Sequence, residues 1–206
     1  MGRPETDVFR RSAMNLLANG LSGADRDEEA LSVEEAELSI QRRLGASEHD
    51  ILVTQSNLAR TYQVLGKLEQ ALRLKRDVYS GNLKLKGKDH EHTLLAANNY
   101  AMSLNTLKRF EEAKSLLRKT MPVARRVLGD NEETTLRMRW SFVQALYKDD
   151  AAALDDLRES VATLEDTART AQRVFGGAHP LTKAIEGGLR DARAALAARE
   201  TPSPSA

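Results

Sequence analysis

Between residues 91 and 107 the apolar positions Leu94, Ala97, Ala101 and Leu104 fall three or four residues apart, with Tyr100 and Leu107 beside them. That spacing gathers them on one face of a helix. A second stretch repeats the pattern from Phe110 through Ala113, Leu117, Met121, Ala124 and Leu128, where Gly129 supplies a helix stop. Only Lys108 and Arg109 separate the two, a link so short that the helices must run antiparallel. Pro122 lies inside the second helix, where its missing N–H predicts a kink.

The whole pattern recurs. Glycines stand at 45, 87 and 129, and 87 minus 45 and 129 minus 87 both give 42. Twelve residues past each glycine come Asn57-Leu58-Ala59, Asn99-Tyr100-Ala101 and the divergent Ser141-Phe142-Val143. The small residues Ala59, Ala101, Ala71 and Ala113 mark places where two backbones approach closely. Applied along the chain, the template predicts helix pairs near 49–65 with 68–85 and near 132–147 with 152–174. The fourth pair is enlarged by an insertion around Asp149 to Asp156, so its second helix should be longer or shifted.

A looser first pair covers about 7–44, and Pro180 opens a last helix over 179–198 that has no hairpin partner and caps the stack. The expected organisation is one continuous helical array over 7–198, with units of about 7–44, 45–86, 87–128 and 129–175 and the cap. Residues 1–6 are expected to fray. Residues 199–206, with Pro202 and Pro204, are expected to be a disordered tail.

Composition narrows the function. The chain has 206 residues, no cysteine, 31 basic and 30 acidic residues, and a net charge of +1. Disulfides are excluded, and a nucleic-acid binder would need basic residues unopposed by acids. No apolar run reaches the length of a membrane span or of a secretory leader, which points to the cytoplasm. Met1-Gly2-Arg3-Pro4-Glu5-Thr6 fits the loose pattern for myristoylation at Gly2, and an unmodified terminus fits as well.

No catalytic motif, cofactor fingerprint or phosphate loop is present, so no cofactor and no enzyme activity are expected. His90 and His92 beside Asp89 and Glu91 are better read as a linker than as a metal site, because His179 recurs at the same offset from its glycine. The acids Glu28, Glu29, Glu34, Glu35 and Glu37 form a negative stretch that reads as a solvated face.

The Asn57-Leu58-Ala59 triplet, Tyr62, and the Gly66-Lys67-Leu68-Glu69-Gln70-Ala71 turn resemble the tetratricopeptide repeat. The long period is similar to the kinesin-light-chain variety. The linkers Lys88 to Leu94 and Gly177 to Thr182 resemble that family's Asp-His-Pro-x-Thr-Leu linker. The resemblance implies an all-α, right-handed superhelical α-solenoid of about four helix-turn-helix units plus the C-terminal cap. Its concave face would hold an extended peptide or a helix of a partner protein.

On the family's groove positions stand Ser56, Asn57, Arg60 and Gln63, then Asn98, Asn99, Met102 and Asn105, then Arg137, Trp140, Gln144 and Lys148. Asparagine amides suit a peptide backbone, and the basic residues suit an acidic partner. Trp140, the sole tryptophan, fits an apolar anchor or a place between helices; Asn57 and Asn99 fit the groove or a tie between helices. The expected function is a non-catalytic adaptor. The alternative is a structural subunit held in an assembly through its outer face and ends.

Overall fold

The computed structural model describes residues 4–201, and side chains from Phe9 onward. Gly2 and the tail from Pro202 lie outside the described residues. Among the described residues there are nine helices and no strand: α1 (Pro4–Gly23), α2 (Asp27–Leu44), α3 (Glu48–Val64), α4 (Leu68–Lys86), α5 (Glu91–Thr106), α6 (Phe110–Val127), α7 (Glu133–Tyr147), α8 (Leu154–Phe175) and α9 (Pro180–Glu200). Residues 4–6, expected to fray, begin α1, and α9 runs to Glu200 rather than ending at 198. Helix α6 passes through Pro122 without interruption. The inserted segment appears as a six-residue connection, 148–153, in place of three, and α8 reaches 22 residues.

The periodic glycines have a backbone reason. Gly45, Gly87, Gly129 and Gly176 all have positive φ, from 68° to 102°, a region that side chains with a Cβ avoid. Within the hairpins Gly66 has φ 71°, and Lys108, 42 residues on, adopts φ 56° at the equivalent turn. The histidine linkers are helix caps: His90 Nδ1 accepts from the His92 amide at 3.1 Å, and His179 Nδ1 from the Leu181 amide at 3.2 Å. Each satisfies one donor that the first turn of a helix leaves free. Asp89 is taken by Arg126 at 2.6 Å.

The helices group into two compact units, Met1–Gly87 and Lys88–Ala206. In the first, α1 to α4 pack in sequence. One apolar cluster joins Leu31, Leu38 and Leu58, flanked by Ile51, Tyr62, Leu65 and Leu74, and a polar layer adjoins it. Glu34, Glu37, Gln41 and Thr54 are buried there, so two of the acids expected on a solvated face point inward. Gln41 Nε2 donates to Glu37 Oε1 at 2.9 Å and to Thr54 Oγ1 at 2.8 Å. Tyr62 of α3 donates to Glu35 at 2.5 Å, and its own pKa is pushed up to about 12, by burial first and then by that carboxylate.

Glu34 is the strained member of this layer. Burial pushes its carboxyl above the ordinary 4.5; a hydrogen bond from Thr61 and the charge of Arg60 pull it partly back, and Asp27 adds to the rise. One of its oxygens is buried without a partner. A raised carboxyl means that the folded state prefers the neutral acid, so this group's contribution is intact below pH 4.5 and is lost as the pH rises through the folded-state value. Glu34→Gln should therefore raise unfolding free energy at neutral pH by on the order of 1 kcal/mol. The gain should vanish in acid. Denaturant melts of both proteins across pH 3 to 8, about the range in which carboxylates and imidazoles titrate, check it. A constant difference at every pH would contradict the assignment.

The second unit holds α5 to α9 around two clusters. One joins Leu94 and Ala101 of α5, Leu117 and Ala124 of α6, and Met138, Phe142 and Leu146 of α7. The other joins Leu136, Val143 and Tyr147 of α7, Leu157, Leu164 and Ala171 of α8, and Leu181, Ile185 and Ala192 of α9. Helix α9, expected as a cap, packs against both α8 and α7.

Candidate binding face

Within the second unit α5 packs directly on α7, and α7 on α9, whereas α6 and α8 make no comparable contact. The first helices of successive pairs are thus closer together than the second helices.

Several predicted residues stand on the α5–α7 side. Asn99 and Gln144 are partly exposed and Lys148 is exposed, and none of the three side chains makes a hydrogen bond or ion pair among the described residues. Arg137 is half-exposed and donates to Glu133 one turn earlier, at 2.8 and 2.5 Å. Such a pair at the surface separates at small cost when a better carboxylate arrives. Leu95 and Met102, exposed on α5, add apolar contact area at 42% and 39%.

Other predicted residues belong to the scaffold. Asn98 is buried, not offered to a ligand: its Oδ1 accepts from Ser141 Oγ at 3.0 Å and its amide donates to Met102 Sδ at 3.6 Å. Asn105 Nδ2 donates to the Ser141 carbonyl at 2.7 Å. The two asparagines staple α5 to α7. Ser141, the odd residue at a position that holds Asn57 and Asn99 in the other repeats, is the counterpart of both bonds.

Trp140 is partly buried against the α7–α8–α9 cluster, its ring 6.5 Å from that of Tyr147. It lies across Gly188 of α9, where an added Cβ would fall 2.0 Å from the ring. Nothing in the spacing of the repeat identifies this contact, because Gly188 lies in the unpaired last helix.

In the first unit Arg60 donates to Asn19 Oδ1 of α1 at 3.1 Å, and Gln63 accepts from Lys75. Lys75 is desolvated enough to bring its pKa down to about 8. Asn57 is partly buried, and its carbonyl accepts from Thr61 at 3.5 Å.

A cleft of about 580 Å³ opens on the opposite side of the second unit, between α6 and α8, and sequence reasoning did not find it. Met121 and Phe142 contribute apolar lining, and Arg125, Arg139, Arg173, Asp130, Asp166 and Glu159 line it with charge. Most of these charges are already paired: Arg125 with Asp130, and Arg139 with Asp166, both at 2.5 Å. The hydrogen bonds hold both aspartates below the usual carboxylate range. Among the described residues, no group of three or more His, Asp or Glu side chains is placed to hold a metal ion, and no helix is long and apolar enough to cross a membrane.

Residues 51–92 and 93–131 match the Tetratricopeptide repeat family. Among solved structures, a protein of Podosopora anserina, described as a kinesin light chain with nearly identical TPR-like repeats, aligns at 23% identity over 97% of this chain and 91% of that one, with a TM-score of 0.74. A single-substitution variant of that protein aligns at 22% identity over 93% and 88%, with a TM-score of 0.76. BtubC (BKLC) from P. vanneervenii aligns at 14% identity over 94% and 82%, with a TM-score of 0.60. At these identities the likeness is one of fold. No curated protein matches the chain in sequence. Residues 51–131 are tetratricopeptide repeats, and the chain carries them in the fold of kinesin-light-chain-like TPR repeats.

Proposed function

We propose that the chain is a non-catalytic interaction module and that the α5–α7 face of its second unit receives an extended, acidic segment of a partner protein. The observation that carries this reading is the row of unengaged polar side chains, Asn99, Gln144 and Lys148, with Arg137 and the apolar Leu95 and Met102 beside it. Amides answer the peptide backbone, the two cations answer carboxylates, and the apolar pair answers an aromatic or aliphatic side chain. Asn57 offers a similar amide on the first unit.

Titration with acidic, aromatic-containing peptides, followed through Trp140 fluorescence, tests the proposal. Asn99→Ala and Lys148→Glu should each weaken binding about tenfold, equivalent to about 1.4 kcal/mol, at unchanged melting temperature. Binding indifferent to both substitutions would remove this face from consideration. A second reading has the outer face engaged in a larger assembly, and the α6–α8 cleft favours it. In that case Thr163→Arg, which puts a long cation into the α8 wall of the cleft, should abolish co-purification of a partner that Asn99→Ala leaves bound.

A further inference from the structure

One row of α8 residues runs the length of the cleft between α6 and α8. Glu159, Thr163, Asp166, Thr170 and Arg173 recur three or four residues apart, so they share one face of the helix, and all five line the cleft. Glu159 and Arg173 are 14 positions apart (173 minus 159), which at about 1.5 Å per residue is about 21 Å. A carboxylate thus stands at one end of the row and a guanidinium at the other.

The charges in the middle are already answered. Arg125 holds Asp130 and Arg139 holds Asp166, and the two pairs act on each other, Asp166 on Arg125 and Arg139 on Asp130. The ends differ. Glu159 is exposed, and its carboxylate makes no hydrogen bond or ion pair among the described residues. Arg173 is exposed too, and its bond goes to a neutral acceptor, the amide oxygen of Asn131 at 3.1 Å. Between the ends, Thr163 and Thr170 are partly exposed, and their hydroxyls make no hydrogen bond among the described residues. Thr106, Thr120 and Thr167, by contrast, donate back to the carbonyl four residues earlier. Each open hydroxyl can both donate to and accept from a peptide backbone.

We propose that this cleft receives an extended segment of a partner protein, with a basic side chain against Glu159 and an acidic one, six residues away, against Arg173. The shape selects the conformation. About 580 Å³ spread over about 21 Å leaves a mean cross-section of about 28 Å², too narrow for a helix about 10–12 Å across and wide enough for a single extended chain. The span selects the spacing. At about 3.4 Å per residue, about 21 Å is six residues, and an even separation puts both side chains on the same side of an extended chain. The charges select the ends, because each binds without breaking a pair the protein already has. This occupancy rests on the outer-face reading and is independent of the α5–α7 face.

Two exposed ion pairs and a few hydrogen bonds bind weakly, with dissociation constants on the order of 1 mM. The probes are blocked peptides added to the full chain, with threonine and alanine alternating between two charged ends, and the amide resonances of Thr163 and Thr170 report binding. A seven-residue peptide with lysine first and glutamate last should shift both resonances saturably, and Asn99→Ala should leave that response unchanged. A version one residue shorter turns its two charges to opposite sides and should bind about tenfold more weakly. Glu159→Lys, at an exposed position with no partner to lose, should weaken the lysine–glutamate peptide about tenfold. The same variant should bind a seven-residue peptide with glutamate at both ends about tenfold better than the unmodified chain does. No response at about 10 mM peptide, ten times the expected constant, equal responses to the two lengths, or failure of the charge exchange would each overturn the proposal. Loss of co-purification in Thr163→Arg without any peptide binding would overturn the extended two-charge occupant and leave the outer-face reading standing.

Discussion

Gly188→Val should destabilise the second unit by about 3 kcal/mol, at the upper end of the usual cost of overpacking. The Cβ alone would sit 2.0 Å from Trp140 Cη2, 2.1 Å from Cζ3 and 3.2 Å from the Tyr147 hydroxyl. The indole cannot keep its place over the added side chain, so either the ring leaves the cluster or α9 moves off α7. Both outcomes expose Ile185 and Val143, which are fully buried. The neighbouring residue supplies the control. At Gly187 the nearest atom to an added Cβ is the Arg190 guanidinium at 3.8 Å, so Gly187→Ala should instead stabilise by about 0.5–1 kcal/mol, through the lower entropy of its unfolded chain.

Guanidinium melts followed by circular dichroism measure both changes. Trp140 fluorescence should redden in Gly188→Val before unfolding begins. In a Trp140→Ala background most of the Gly188→Val penalty should disappear, and a double-mutant cycle isolates that coupling. Two additive penalties would mean that Gly188 matters for some reason other than the ring lying on it.

The fold was legible because its determinants are local and periodic. The spacing of Leu94, Ala97, Ala101 and Leu104 names a helix face, and the glycine period names the place where each hairpin ends. The candidate face was only partly legible, because exposure on a helix depends on what packs beside it. Asn98 and Asn99 are neighbours of one type, yet α7 covers the first and leaves the second half-open. Ser141 looked like decay of the motif. In fact a short hydroxyl is what fits over Asn98 once α7 lies directly on α5.

Glu34 and Glu37 misled for the opposite reason. Carboxylates three residues apart on a charged helix ordinarily face water. Here α1 brings Arg10 and α3 brings Thr54 and Thr61 to meet that side of α2, so a buried polar layer stands where a solvated face was expected. On α1, Arg10 and Arg11 reach Glu37 and Asp50 of the same unit, while Phe9, Leu16 and Leu17 stay exposed. The α6–α8 cleft arises from the spacing of whole helices, a quantity to which no single segment of the sequence refers.

Ala101→Trp should cost about 3 kcal/mol or more and broaden the unfolding transition of the second unit. Ala101 is fully buried where α5 meets α6, within the cluster that holds Leu94, Leu117, Ala124, Met138, Phe142 and Leu146. A methyl side chain lets the two helices approach at that level. An indole would hold them apart and leave gaps on either side of itself, so strain and lost packing add. The equivalent residue 42 positions on is Val143, also fully buried, so the site accepts one further step in size. Ala101→Val should therefore cost only about 1 kcal/mol, and a graded series through leucine should rise steeply after that. Asn105, one turn further along the same helix, reports the displacement directly: its bond to the Ser141 carbonyl should break in Ala101→Trp, and the Asn105 amide protons should exchange faster. An unchanged melting temperature in Ala101→Trp would place Ala101 on a free surface and overturn the helix register from which every position on the candidate face is read.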